Sequence, residues 1–476
     1  MSWPEIALLI ANVLIFGFFI LIHLFYFFLV VVSVGGAYLQ PRRARLLVPE
    51  RLMDSVTTPP LTVLVAAHNE QATIVESVHA LLGLHYPRLE VIVINDGSRD
   101  ATLEQLVHQF SLHRADLDYR PTLPAQPVRG FYLSTLDPRL VVIDKEQGGK
   151  ADALNAGLNL CWTPWVCTVD ADSIMEEDSL LRALRPALED DLVVASSGIV
   201  RIANGCRVAG GRVTRVGLPR ERLPLFQVIE YLRGFLEGRL GWSWLNGLLI
   251  ISGAFGLFRT SVLREIGGYA RDTVAEDMDV VVRIHRHFRE RRQPYQVLFV
   301  PDPVCWTEVP TTVATLARQR RRWHRGLMEV LVRHSGLFFR PRMGVLGWLV
   351  LPYFFLELIA PVVEITGMLL LPVLWWFGWL STTAFILYLI LAFFVGMLFS
   401  LWAVLVEEFT YRRYTSWPEL LRLLFYGLVE HFGYHQMVLV WRLQGMIEYF
   451  RGRREWGAQA RAGFQPRPPA VEIADR

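Results

Sequence analysis

The chain has 476 residues, enough for two or three domains, and 53 % of them are hydrophobic, above the roughly 45–50 % of ordinary globular chains. Charged residues still make up 20 %, which excludes both a wholly soluble and a wholly membrane-buried protein. The net charge of +3 is too small to point to nucleic acid, and no nucleic-acid partner is expected.

Residues 5–34 are almost wholly apolar, long enough to cross a bilayer core that needs about 20 helical residues. The preceding MSWPE carries no basic region, so residues 1–40 are expected to be an anchoring transmembrane helix and not a cleaved signal. Arg42, Arg43, Arg45 and Arg51 follow at once, and the positive-inside rule places them, and the domain after them, in the cytoplasm.

Residues 55–335 alternate between β-branched runs and amphipathic stretches. LTVLVAA, EVIVIND, LVVID and WVCTVDAD predict buried parallel strands with polar or acidic ends, and helices are expected to begin near Gln71, Asp100, Lys150 and Glu177. An α/β layered domain of this kind places its ligands at the carboxyl ends of its strands. Four cysteines (Cys161, Cys167, Cys206 and Cys305) show no metal-binding pair and are expected to be reduced, mostly buried thiols. Among 48 basic residues only Lys145 and Lys150 are lysines, both in DKEQGGK; either a compact ammonium is required there or the two cluster by chance.

Interface helices are expected near 223–240 and 311–335. Residues 345–379 and 383–406 are again apolar and 419–450 is mixed, so 340–450 predicts two spans plus an interfacial or re-entrant segment, unless Pro361 breaks the first span into a hairpin. Arg340, Arg342, Arg412, Arg413, Arg451, Arg453 and Arg454 flank these segments on the expected cytoplasmic face, and 457–476 is expected to be disordered.

Chemistry-bearing residues fall at the predicted strand ends. Asp170-Ala171-Asp172 could share a divalent ion, Mg2+ or Mn2+, with substrate phosphates, or form a solvated turn. Asp96, in NDGS, is placed to accept a hydrogen bond from a base or ribose, or simply to make the turn; Glu70, in HNE, has the same ambiguity. Gly148-Gly149-Lys150 opens a helix, where free amides and an ammonium favour phosphate. Glu276-Asp277 begins another helix, as dipole-favoured caps or as a general base, with Asp279 the less favoured base. Gln319-Arg320-Arg321-Arg322-Trp323 reads equally as a basic interfacial helix or as a diphosphate and sugar contact.

The order NDGS, GGK, DAD, ED and QRRRW within one α/β segment resembles the processive family 2 glycosyltransferases with a GT-A fold. That group includes cellulose, hyaluronan, chitin-oligosaccharide and poly-N-acetylglucosamine synthases. The resemblance runs from about Leu61 to Arg333 and, less specifically, through the membrane segments. It implies that Asp96 holds the nucleotide base, Lys150 lies near the phosphates, Asp170 contacts the nucleotide sugar, and Asp172 binds the metal. Glu70, Gln319 and Arg322 join the donor side, Asp277 is the catalytic base, and Ser252, Gly253 and Trp323 serve the acceptor. Asn95 stands where the family often has aspartate, so it is given no metal role. Because no regulatory domain follows the membrane region, control by a cyclic dinucleotide through an attached domain is not expected.

The implied activity is inverting polymerisation of a β-linked polysaccharide from a UDP-sugar, UDP-N-acetylglucosamine on resemblance alone. Transfer would occur in the bacterial cytoplasmic membrane, onto a growing glycan, with coupling to export and accessory export subunits among the expectations. Glu357 and Glu364, seven apart in an apolar stretch, either line an export route or form interhelical pairs. Transfer of one sugar to a membrane lipid, as in ceramide glucosyltransferases, is the competing enzyme; an inactive scaffold is the non-enzymatic rival.

Overall fold

A computed structural model describes residues 3–44, 53, 58–414 and 416–452. Arg45, Arg51, Arg453, Arg454 and the 457–476 tail lie outside the described residues.

The chain opens with helix α1 (Trp3–Ala44) and then builds one ten-stranded sheet. Its strands are β1 (Leu61–Ala67), β2 (Leu89–Asp96), β3 (Leu112–Ala115), β4 (Val128–Ser134), β5 (Leu140–Lys145), β6 (Trp165–Asp170), β7 (Ser173–Met175), β8 (Val193–Ile202), β9 (Gly256–Arg259) and β10 (Gln296–Thr307). Their spatial order is β3-β4-β5-β2-β1-β6-β9-β8-β10-β7. The central strands β5, β2, β1 and β6 run parallel. Their β-branched runs are almost fully buried because helices α2 (Ile74–Leu82), α3 (Thr102–Gln109), α4 (Lys150–Leu160) and α5 (Ser179–Glu189) connect and cover the strands.

Register decides where the polar ends fall. Ala67 pairs with Asn95, Asp96 with Lys145, and Ala66 with Asp170, so the four loops after these strands meet along one edge. The antiparallel insertion of β9 between β6 and β8 was not predicted; it brings residues 252–255 to the same edge.

Past the sheet, α6 (Arg222–Tyr231) continues through a π-helical stretch, Leu232–Gly238, into α7 (Arg239–Trp244). Helix α8 (Thr260–Glu265) leads to α9 (Glu276–Arg291), and α10 (Val313–Arg333) carries the QRRRW sequence. Helix α11 (Leu351–Trp376) follows; α12 (Thr382–Leu389) and α13 (Val395–Thr410) are joined by a π turn. Among the described residues, Leu8–Gly35, Leu346–Trp376 and Thr382–Thr410 are long and apolar enough to cross a bilayer. Pro361 and Pro372 lie inside α11 without breaking it, so the hairpin alternative is not what forms. The mixed 419–450 segment is two helices, α14 (Trp417–Val429) and α15 (Tyr434–Phe450).

The helical region and the sheet domain touch closely. At Gly241 a Cβ would stand 3.0 Å from the Leu29 carbonyl, and at Gly445 one would stand 2.5 Å from the Arg321 carbonyl. Glycine at those points lets α7 rest on α1 and α15 rest on α10. Arg201 of β8 and Glu407 of α13, each 3 % exposed, form a two-pronged ion pair at 2.7 Å. Losing either partner would strand a buried charge.

Candidate active site

The converging strand ends open into a cavity of about 1140 Å³. Its wall includes Glu70, Asp96, Lys150, Asp170, Asp172, Ser252, Gly253, Asp277, Gln319, Arg322 and Trp323, so the residues to which the resemblance gives donor, acceptor, metal or base roles all border one space. The cavity continues between the membrane helices, where His23, Tyr26, Glu357, Glu364, His435 and Arg442 also border it.

The GGK turn is built differently from expectation. Asp96, 3 % exposed, accepts hydrogen bonds from Lys145 Nζ (2.5 Å), Gly148 N (2.9 Å) and Gly149 N (2.7 Å). Those two amides are therefore not free for phosphate, because the carboxylate one strand away has already taken them. Asp96 in turn commits three of a carboxylate's roughly four accepting positions to shaping the loop. Lys145 is wholly buried between Asp96 and Asp152 (2.7 Å), while Asp152 also holds Gln126 N and Arg271. One of the two lysines is thus a buried strut and the other faces the site. Gly149 starts α4 at φ 91, a backbone shape that favours glycine.

Lys150 Nζ pairs with Asp170 and lies 3.8 Å from Glu276. Burial works against its charge, but Asp170, Glu276 and Asp277 outweigh it and hold the ammonium above its ordinary range. Burial is also the main force raising the Glu276 carboxyl, with Lys150 opposing it and Asp277 adding to it. A Cβ at Gly253 would crowd the Lys150 ammonium, so the glycine lets the 252–254 loop lie beside the Lys150–Asp170 pair without displacing it.

At the start of α9 three acids sort by environment. Glu276 is buried against Lys150. Asp279 is fully buried, bound by Arg283 Nε (2.7 Å) and 2.9 Å from His334 Nε2, so it braces α9 against α10 and does not border the cavity. Asp277 is half-buried and borders the cavity.

On α10, Gln319 accepts a hydrogen bond from Arg320 Nη1 (3.2 Å), and Arg320 is tied to Glu230 (2.6 Å). The Arg320 guanidinium lies 4.3 Å over the Trp323 ring, and Phe235 packs against that ring at 6.3 Å. Trp323 is 37 % exposed, so much of the ring remains open. Asn95 donates to Asp144 (2.7 Å) inside the sheet, away from any metal position.

No cluster of three or more His, Cys, Asp or Glu able to cage a metal occurs among the described residues. Asp170, at the end of β6, and Asp172, in the turn that follows, instead offer hard oxygen donors two positions apart. That set fits Mg2+ or Mn2+, which bind through one or two carboxylates and complete their shell with water and substrate phosphate.

Sequence reasoning missed the Lys145–Asp152 strut, the π-helical wall at 232–238, and the contribution of α15. Arg442 and His435 sit in the 419–450 stretch as polar residues among apolar ones, which was the available signal.

Two family models match the chain. Residues 165–399 match the model for glycosyl transferase family group 2, and residues 62–123 match glycosyl transferase family 2. Poly-beta-1,6-N-acetyl-D-glucosamine synthase of Staphylococcus epidermidis is 28 % identical over 273 residues, 57 % of this chain and 56 % of the relative. The Staphylococcus aureus (strain COL) protein of the same name is 28 % identical over 274 residues with the same coverage, so just over half of each relative is spanned. A mannosyltransferase from Pyrobaculum calidifontis, solved with GDP-Man and Mn2+, superposes with TM-score 0.50 at 18 % identity, covering 91 % of this chain and 100 % of its own. That likeness is one of fold. The chain belongs to glycosyltransferase family 2, a GT-A-type α/β domain joined to a helical membrane region.

Proposed function

We propose that the chain is an inverting synthase that polymerises a β-linked polysaccharide from a UDP-sugar, with UDP-N-acetylglucosamine as donor. Its catalytic domain would face the cytoplasm of a bacterium, with the helical part in the cytoplasmic membrane. The observation that carries this is the single cavity that begins at Lys150, Asp172, Asp277 and Arg322 and continues between the membrane helices. A donor site alone would not need that extension; a growing chain would. The poly-N-acetylglucosamine synthases matched over about half their length support the donor.

Lys150 and Arg322 would hold the negative charge that builds on the departing diphosphate. Asp170 and Asp172 would hold the divalent ion, which supplies Lewis-acid neutralisation of that diphosphate. Asp277 would take the proton of the acceptor hydroxyl as its oxygen attacks the anomeric carbon opposite the leaving group, giving inversion. Trp323 would lay its open face against the acceptor sugar. Trp323→Ala is then expected to raise the acceptor KM by about 3–10-fold, the scale of aromatic contact energies, and donor hydrolysis less. Equal losses in both would count against stacking.

Glu357 and Glu364 are both interhelical partners and wall residues. Glu357 accepts from Tyr26, from Tyr353 (3.3 Å) and from Arg442 (3.0 Å), and Glu364 lies 2.8 Å from His435 Nε2. Intramembrane carboxylates are costly and usually face such a polar path. A Glu357→Gln, Glu364→Gln double variant in inverted vesicles is expected to send several-fold less product into the lumen while still releasing nucleoside diphosphate. Undiminished lumenal product would remove the export role.

Labelled UDP-N-acetylglucosamine supplied to the purified protein in lipid nanodiscs tests the polymer directly. A ladder of saccharides on a gel supports it. A single labelled sugar on an extractable lipid would favour the lipid-transferase alternative instead.

A further inference from the structure

One stretch of the cavity wall has charged groups that nothing above uses. The π-helical turn Leu232–Gly238 borders the cavity, and π turns inside α-helices are frequent at functional sites. Gly234 and Gly238 put no side chain into that space, and a Cβ at Gly234 would meet nothing within 4 Å. Glu237 is 5 % exposed and Arg239 is 6 % exposed, yet both line the cavity. Glu237 Oε1 and Arg239 Nη1 have no hydrogen-bond partner among the described residues. Buried polar groups are almost always satisfied, so two orphaned ones on one wall point to a ligand that completes them.

Their neighbours narrow the ligand. Arg233, four residues before Glu237, is taken by Glu430 and Ser400, both at 2.6 Å. Among the described residues Glu237 has no ion-pair partner, and burial pushes its carboxyl up to about 8, against the weaker pull of Arg233. It is therefore mostly a neutral acid near neutral pH, able both to donate and to accept. The Arg239 guanidinium lies 4.1 Å over the Phe235 ring; burial lowers it to about 10, opposed first by Asp277. That opposing influence puts Arg239 within electrostatic reach of the proposed base. Phe235 also meets Trp323. A neutral acid, a guanidinium and two aromatic faces are the groups that recognise an uncharged pyranoside with neighbouring hydroxyls.

We propose that Glu237 and Arg239, flanked by Phe235 and Trp323, form the acceptor-recognition site, holding the terminal sugar of a neutral glycan beside Asp277. The assignment rests on the polymerase function proposed above and adds residues and a ligand class to it. An acidic terminal sugar would meet the Asp277 carboxylate on the same cavity wall and is disfavoured.

The test uses the full chain in nanodiscs, labelled UDP-N-acetylglucosamine and a soluble N-acetylglucosamine oligosaccharide as acceptor. Glu237→Leu is expected to raise the acceptor KM at least about tenfold, a change of 1.4 kcal/mol, and the donor KM by less than about twofold. Glu237→Gln, which keeps one donor and one acceptor at the same reach, is expected to stay within about threefold of wild type on the acceptor side. Arg239→Met should raise the acceptor KM like the leucine substitution. An unchanged acceptor KM in both Glu237→Leu and Arg239→Met would overturn the proposal, as would equal donor and acceptor losses, or a Gln variant as impaired as the Leu one. A wild type that releases nucleoside diphosphate but extends no saccharide would overturn the polymerase function, and this site with it. A wild type that extends normally beside indifferent variants would overturn this site alone.

Discussion

Asp277→Asn is expected to lower glycosyl transfer by about 10²–10⁴-fold, the span that a positioned general base contributes, with donor affinity close to wild type. The expectation follows from how the three acids of α9 are placed. A base must reach the acceptor hydroxyl, so it has to face the cavity and be able to gain a proton and lose it again. Asp279 is closed off by Arg283 and His334. Glu276 lies beside Lys150 and is buried, so its loss would disturb the ammonium before it touched the acceptor. Asp277 alone of the three is only half-buried, and it borders the cavity, as the buried Glu276 also does. Asparagine keeps its shape and removes its basicity. Nucleoside diphosphate release in the presence of acceptor, set beside equilibrium binding of the nucleotide, separates the two effects. Near-wild-type turnover, or an equal loss of nucleotide binding, would contradict the assignment.

Asp172→Asn is expected to cost about 10²–10³-fold in transfer, the rate equivalent of a few kcal/mol of lost charge neutralisation at the leaving group. Asp172 is 5 % exposed in the short turn between β6 and β7, so the isosteric amide should leave the turn intact. What changes is the donor set: one carboxylate, Asp170, remains, and it is already paired with Lys150. The second readout is binding. In the wild type, added Mn2+ should tighten UDP binding; in the variant that enhancement should shrink or vanish. A variant with full activity and full Mn2+ enhancement would mean that the ion, if any, is held elsewhere.

Much of the site was legible because parallel strands buried on both faces are written as unbroken β-branched runs. LTVLVAA, EVIVIND, LVVID and WVCTVD could hardly be anything else, and their register then carries Asn95–Gly97, Lys145–Lys150 and Asp170–Asp172 to one edge. The QRRRW helix was legible for a similar reason, since a basic amphipathic run just before an apolar segment belongs at a boundary. What could not be read was the division of labour among like residues. Lys145 and Lys150 look equivalent in DKEQGGK, but strand β5 points the first into the protein between Asp96 and Asp152, while the second opens α4 at the cavity. The Gly148 and Gly149 amides look free in sequence and are taken by an acid 52 and 53 positions away. Glu237 was hidden for a further reason: neither its buried oxygen nor the π turn that carries it has a one-dimensional signature. The inserted antiparallel strand β9, only four residues long, was equally invisible before its neighbours were known.

The most direct measurement is nucleoside diphosphate release by the nanodisc-embedded protein across a panel of nucleotide sugars, with Mg2+ or Mn2+ and after chelation. The convergence of Lys150, Asp170, Asp172, Asp277 and Arg322 on one cavity predicts divalent-dependent turnover of a UDP-sugar, with UDP-N-acetylglucosamine foremost. Absence of release from every UDP-sugar tested, with either ion, would contradict it.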